Sequence, residues 1–277
     1  MKYIALIKNS NTFSLSPLIF KKAFELLQLD YRHAVLNIGK NELATTINYL
    51  RKDFILGANV TIPHKESVIK FLDEISDEAK ITGAVNTIAN KNGKLIGYNT
   101  DIYGIKNTLE PFKDRISGEN ILVIGAGGAS RAVIVALAKY FNPSELLLYN
   151  RTTERANILI NEFAKSFPNL KINLVTTLAQ VNPKLIVNAT SVGMSPKIYE
   201  MPITEDFHFS SEQIFFDIVY NPIETKLLKH AKHSGATVLN GVEMFVHQAA
   251  KSFEIWTGNI FPINEAREVV IKSFNKK

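Results

Sequence analysis

Apolar runs alternate with stretches of helical spacing along most of this 277-residue chain. "KYIALI" (Lys2 to Ile7) is a short run of strand formers. "SPLIFKKAFELLQL" behind it carries apolar residues three and four apart after a Ser-Pro start, which predicts a helix. The alternation continues through "YRHAVLN", "KNELATTINYLRKDF", "ILGANV" and "HKESVIKFLDEI", predicting three strand-helix units before residue 80 and a largely parallel sheet. "VNTIANKNGKLIGYN" breaks that rhythm: two alternating runs flank Asn92-Gly93, which predicts a hairpin at the edge of a first domain. A second series opens at "ENILVIGAGGASRAVIVALAKY" and runs through "ELLLYNRTTERANILINEFAKSF", "LIVNAT" and "IFFDIVY" to "TVLNG". Its strands are continuously apolar, as expected where helices cover both faces of a sheet. "GVEMFVHQAAKSFEIWTG" and "INEAREVVIKSF" read as two amphipathic helices with no strand after them, and they are expected to pack on the first domain.

The pattern predicts an α/β protein of two domains: a mostly parallel α/β sheet domain over residues 1–102, then a Rossmann-like domain over 103–240. Helices over 241–277 are expected to return to the first domain. In "ILVIGAGGAS" a buried strand runs into Gly125, Gly127 and Gly128 and a helix opens at once, the setting in which backbone N–H groups meet a pyrophosphate. A glycine motif alone is a weak signal, and its sixth position here is Ser130. The second strand, however, ends in "LLLYNRTTER", with Asn150 and Arg151 where an NAD-binding chain carries an acid for the ribose hydroxyls. An acid repels a 2'-phosphate and a guanidinium grips it, so the expected cofactor is NADP. Arg151 and Arg155 are then placed on the phosphate, with Asn150 and Thr152 adding hydrogen bonds.

Composition removes other chemistries. There is no cysteine, which excludes disulfides, thiolate nucleophiles and Cys-based zinc sites. His230 and His233 stand at i and i+3, but lysines flank them without a nearby acid, so they read as a solvated helical face and no metal is expected. The formal charge of +6 comes from scattered lysines and suits small acidic ligands better than nucleic acid. No apolar run reaches the eighteen or so residues that span a bilayer, and the N-terminal run Ile4 to Ile7 is too short for a signal-peptide core, so no membrane partner and a cytoplasmic location are expected. Trp256, beside Phe253 and Ile255, reads as core.

Hydride transfer at a secondary alcohol needs a group that gives or takes the hydroxyl proton. The first domain gathers polar residues at the ends of its predicted strands in "NVTIPHKE" (59 to 66), "GAVNT" (83 to 87) and "GYNTD" (97 to 101). With "SLSP" (14 to 17), "GAGGAS" (125 to 130), "NRT" (150 to 152), "NATSVGM" (188 to 194), "DIVYNP" (217 to 222) and "GVEMFVHQA" (241 to 249), these stretches resemble, in order and over the whole length, the shikimate dehydrogenase family.

The resemblance implies NADP-dependent interconversion of 3-dehydroshikimate and shikimate, with Lys65 as general acid/base and Asp101 as its partner. Asn86 and Thr61 would also touch the substrate, Ser14 and Ser16 would bind its carboxylate, and Tyr220 and Gln248 would complete the pocket. It assigns Gly125, Ala126, Gly127, Gly128 and Ala129 to the pyrophosphate, and Asn150 to Arg155 to the adenosine end. Asp77, Ile218 and Gly241 would lie near the nicotinamide, with Thr190 to Met194 below the cofactor. His64 is given no role and read as a surface residue at a helix start, and Glu66 as an acid in that helix's first turn. The family's His-Ser-x-Ser-Pro-x-x-His-Asn block is altered here, with Phe13, Phe20 and Lys21 at the His, His and Asn places and Ile102 at a common glycine.

Two rival readings differ in their predicted sites. A quinate/shikimate dehydrogenase using NAD would favour an acid near position 151, where this chain has Arg151. A regulatory module on the same fold would be expected to lose Lys65 or Asp101. The expected assembly is a monomer or homodimer.

Overall fold

The computed structural model describes residues 1–9, 14–179 and 181–274. The chain forms two compact units, Met1–Gly104 with Val246–Lys277, and Ile105–Phe245. Six strands build the first unit: β1 (Lys2–Lys8), β2 (Tyr31–Asn37), β3 (Ile55–Val60), β4 (Glu74–Ile75), β5 (Thr87–Lys91) and β6 (Lys94–Tyr98), in spatial order β2-β1-β3-β5-β6-β4. β1 pairs parallel with both β2 and β3, whereas β5 runs antiparallel to β3 and to β6. Helices α1 (Ser16–Leu26) and α2 (Leu43–Tyr49) supply the crossovers, followed by the short α3 (Asp77–Thr82), which the pattern did not predict, and α4 (Asp101–Leu109).

The hairpin forms where Asn-Gly requires it, with Asn92 at φ 55° and Gly93 at φ 87°. It does not end the sheet: β5 lies inside it, and the two-residue β4 is the strand beyond β6.

The helix predicted over His64 to Ile75 is absent. Turns carry the chain to a single 3₁₀ turn at Ile69–Phe71 and then to β4. The carbonyl of Lys65 accepts the N–H of Val85 at 2.8 Å, and the N–H of Asp73 reaches the carbonyl of Leu95 at 3.0 Å, so groups a helix would use are taken by distant chain. The apolar spacing that suggested a helix instead seats Val68 in the core, with Ile69, Phe71, Leu72 and Ile75 packed against it. Glu66 therefore occupies a turn and has no helix dipole to complement.

After α5 (Lys113–Ile116), the second unit alternates β7 (Asn120–Ile124), α6 (Gly128–Tyr140), β8 (Glu145–Tyr149), α7 (Thr153–Ser166), β9 (Ile172–Val175), β10 (Leu185–Asn188), β11 (Ile214–Asp217), α8 (Lys226–His233) and β12 (Thr237–Leu239). β9 also went unpredicted. The order β12-β11-β10-β7-β8-β9 is fully parallel and is the doubly wound 3-2-1-4-5-6 order read from the other edge.

The last two helices are α9 (Val242–Thr257) and α10 (Ile263–Phe274), and α10 packs on α1. Trp256 on α9 is 5% exposed, and its indole donates to the carbonyl of Ile88 at 2.8 Å. Gly57 makes room for this: at φ 156°, a Cβ would lie 2.0 Å from the Ile88 carbonyl oxygen and 2.5 Å from the indole nitrogen. Phe20 is fully buried, 5.5 Å from the Trp256 ring and 5.1 Å from the ring of His33, so this departure from the family block is a core residue. Burial pushes His33 down to about 4, which keeps the stacked imidazole neutral. Lys21 lies on the exposed face of α1, 3.8 Å from Glu25, and Phe13 falls outside the described residues.

Candidate active site

In the first unit, Thr61 follows the carboxyl end of β3 with its backbone pinned on both sides: its N–H donates to the carbonyl of Ile7 at 3.0 Å and its carbonyl accepts from the N–H of His64 at 2.9 Å. The turn that follows carries Lys65, whose ammonium lies 2.5 Å from Asp101 Oδ2 at the start of α4. The side chains are 19% and 8% exposed, so the pair is shielded yet the lysine keeps an open side.

Asn86 fixes the carboxylate. Its carbonyl oxygen accepts the backbone N–H of Thr100 at 2.7 Å, a group that can only donate, which settles the orientation of the amide. Nδ2 then faces Asp101 and donates to Oδ1 at 2.8 Å, leaving Oδ2 for Lys65. Lys65, Asn86 and Asp101 are thus brought together.

Ser14 and Ser16 bond each other through their hydroxyls at 3.2 Å, and Gln248 sits half-buried on α9. Tyr220, in the second unit, stacks on Phe245 at 4.6 Å, and burial pushes its hydroxyl up to about 12, so it is a neutral donor at physiological pH.

His64 departs from its predicted place. It is fully buried, and Nε2 lies 3.1 Å from the carbonyl of Ile38 across the chain. With no helix to begin, the turn folds inward and uses this imidazole as an anchor beside Lys65.

In the second unit Gly125 stands at φ 111°, and a Cβ there would meet Thr190 Cγ2 at 2.8 Å. Nothing lies within 4 Å of a Cβ built on Gly127 or Gly128, so the turn opens on free space at the start of the thirteen-residue α6. Ser130 is buried and its hydroxyl accepts the N–H of Gly127 at 3.3 Å, which explains a serine at the sixth position. Arg151, Thr152 and Arg155 are exposed after β8, Asn150 Nδ2 donates to the Thr152 carbonyl at 2.7 Å, and neither arginine has an ion-pair partner among the described residues. An open glycine turn on a helix N-terminus, with such guanidiniums after the next strand, fits a phosphorylated dinucleotide.

Gly241 packs directly on Ile218, 2.1 Å from its carbonyl oxygen to a built Cβ. Asp77 belongs to the other unit, on the exposed first turn of α3, paired with Lys80 at 3.0 Å. Beneath the second unit's loops lies a network the sequence reading passed over, although "DIVYNP" contains its centre. Buried Asp217 accepts from Asn188 Nδ2 and the N–H of Val219, both at 3.0 Å, and from Thr225 Oγ1 at 2.7 Å. Asn188 Oδ1 in turn holds Thr190 through its hydroxyl at 2.7 Å.

His230 is half-buried rather than solvated: Nε2 lies 2.7 Å from the Phe207 carbonyl and the ring stands edge-on to Phe209. His233 turns to the Lys229 carbonyl, and no group of three metal-ligating side chains exists among the described residues.

The parallel sheet in Rossmann order, the open glycine turn and the shielded Lys–Asp pair define a two-unit α/β protein of the dinucleotide-binding oxidoreductase class. The chain belongs to the shikimate dehydrogenase family. Models described as the shikimate dehydrogenase substrate binding domain, shikimate / quinate 5-dehydrogenase and the shikimate 5'-dehydrogenase C-terminal domain match residues 6–88, 108–238 and 241–271. A shikimate dehydrogenase (NADP(+)) of Methanococcus maripaludis is 42% identical over 93% of this chain and 91% of its own. A shikimate dehydrogenase crystallised with NADP+ superposes at a TM-score of 0.91, with 37% identity over 99% of this chain and 96% of that one. The Thermus thermophilus enzyme in complex with NADP(H) and shikimate gives a TM-score of 0.87 and 32% identity over 99% and 100% of the two chains.

Proposed function

We propose that this protein catalyses the NADP-dependent, reversible reduction of 3-dehydroshikimate to shikimate, in the cytoplasm, as a step of the shikimate pathway to chorismate and the aromatic amino acids. The observation that carries the reading is the Lys65–Asp101 pair, 2.5 Å apart and locked by Asn86, on the unit whose sequence matches a substrate-binding domain. The first unit with the C-terminal helices takes the substrate and the second takes the nucleotide.

When bound, NADPH supplies the hydride that reduces the ketone carbon. Lys65 gives its proton to the carbonyl oxygen as negative charge grows there, which completes a secondary alcohol, and it regains the proton from solvent. Asp101 holds that ammonium in place. Ser14 and Ser16 receive the substrate carboxylate, while Thr61, Asn86, Gln248 and Tyr220 orient the ring hydroxyls. Gly125 to Ala129 would hold the pyrophosphate, Asn150 to Arg155 the adenosine end, and Thr190, Ile218 and Gly241 the nicotinamide end.

The test is the rise of reduced-nicotinamide absorbance when the protein meets shikimate or quinate with NADP or NAD. Signal confined to shikimate with NADP is expected. Equal rates with quinate or NAD would replace this reading by a dual-specificity enzyme, and silence in all four would overturn it. Arg151→Ala is expected to raise the KM for NADP roughly tenfold, the loss of a charge-assisted contact, while the KM for NAD stays unchanged. Equal losses with both cofactors would show that Arg151 does not read the 2'-phosphate.

A further inference from the structure

Behind Asn86 lies a buried patch of hydroxyls that the proposed chemistry leaves unused. Ser252 on α9 is fully buried, as are Thr87 and, at 1% exposure, Thr100. Ser252 Oγ lies 2.7 Å from Thr87 Oγ1 and 3.1 Å from Thr100 Oγ1, and those two lie 3.2 Å from each other, closing a triangle. Asn59 Nδ2 also donates to Ser252, at 3.3 Å, and Ser252 Oγ donates to the carbonyl of Gln248 one turn back at 3.0 Å. Both threonines reach Asn86 Oδ1, each at 3.2 Å. One hydroxyl on α9 therefore ties the backbone of Gln248 to the amide that orients Asp101. An apolar residue would suffice to fill this space; clustered hydroxyls in a dry interior add direction, because each carries a single hydrogen and accepts only along its lone pairs. With Ser252 donating to Gln248, Ser252 Oγ accepts from Thr100, and Thr100 Oγ1 accepts from Asn86 Nδ2 at 3.0 Å, one run of donors from the amide to α9.

We infer that Ser252 is a positioning residue for the substrate site, holding Gln248 on α9 in register with Asn86 through the Thr87–Thr100 hydroxyl triangle. The inference rests on the proposed shikimate chemistry and adds a residue to it. Ser252 touches no substrate; it acts through Asn86 and Gln248, so its loss falls on substrate recognition more than on the cofactor.

Ser252→Ala is expected to raise the KM for shikimate about tenfold, with kcat lowered less than threefold and the KM for NADP within twofold of wild type. Thr87→Val, which keeps the shape and removes the hydroxyl, should reproduce the shift, and Thr87→Ser, which keeps the hydroxyl and removes a methyl, should not. The double variant Ser252→Ala with Thr87→Val should lose less than the sum of the two single ones, because both remove the bond between these two hydroxyls. A lower kcat with both KM values unmoved would mean only that less protein is folded, and would overturn the inference. Equal behaviour of Thr87→Val and Thr87→Ser would overturn it too, in favour of simple packing. Wild-type turnover with unaltered variants would sink this inference alone, whereas absent wild-type turnover would sink the proposed function and this inference with it.

Discussion

Lys65→Met is expected to lower kcat for shikimate oxidation about a thousandfold, within the range by which a positioned acid or base contributes. Methionine keeps most of the length and apolar stem of lysine, so the change isolates the ammonium. The fold around it should hold, because the turn is anchored without the Lys65 side chain: the N–H of Val85 bonds the Lys65 carbonyl at 2.8 Å, and the His64 imidazole reaches the Ile38 carbonyl at 3.1 Å. KM for NADP should stay within a few fold, and KM for shikimate should move far less than kcat, because the lost interaction is strongest when charge develops on the reacting oxygen. The variant also leaves Asp101, 8% exposed, held by Asn86 without its cation. Steady-state rates and a nucleotide-binding titration check the split. Turnover near the wild-type value would remove Lys65 from the chemistry.

The second large effect concerns stability against pH. Burial pushes the Asp217 carboxyl up to about 6 from an ordinary 3.8, against the opposing pull of donors from Thr225, Val219 and Asn188. Its charged form is thereby disfavoured in the native chain by about 3 kcal/mol. Well below pH 4 the group is protonated in folded and unfolded chains alike and has no effect. Between about 4 and 6 the unfolded chain gives up the proton first, so native stability falls as pH rises. Above about 6 both states are ionised and the whole destabilisation persists.

Asp217→Asn removes this titration while leaving every other group in place. Its amide meets a site where all three partners donate to the carboxylate, so it weakens the unit at every pH; the comparison therefore lies in the pH dependence of the difference. The advantage of wild type over Asp217→Asn in urea unfolding should shrink by about 2.5 kcal/mol from pH 4 to pH 7.5. A difference constant across that range would show that Asp217 ionises as an ordinary carboxylate.

Several features of the site were legible in residue order. "NVTIPHK" and "GYNTD" mark strand ends with a lysine and an acid, and the structure brings Lys65 and Asp101 to 2.5 Å. "GAGGAS" announced its turn because Gly125 must take φ 111°, a local demand that glycine meets. Other features were hidden because they depend on distant partners. "HKESVIKFLDEI" has helical apolar spacing, yet Val85 and Leu95 capture its backbone groups and its apolar side chains serve a turn equally well. His64 looked like a surface residue because nothing nearby in sequence reveals the Ile38 carbonyl. Asp217 lies within "DIVYNP", but only folding sets Asn188 and Thr225 against it.

Two α/β series, the hairpin at Asn92-Gly93, the glycine turn and the guanidinium after the second strand of its sheet were determined by the sequence itself, since periodicity and preferred backbone angles act over a few residues. The tertiary structure decided the turn that carries Lys65, the amide orientation of Asn86 and the hydroxyl triangle, where Thr87 and Ser252 meet from 165 positions apart. Hydrogen bonds of this kind depend on direction and on the exclusion of water, and both exist only once the sheets and helices have packed.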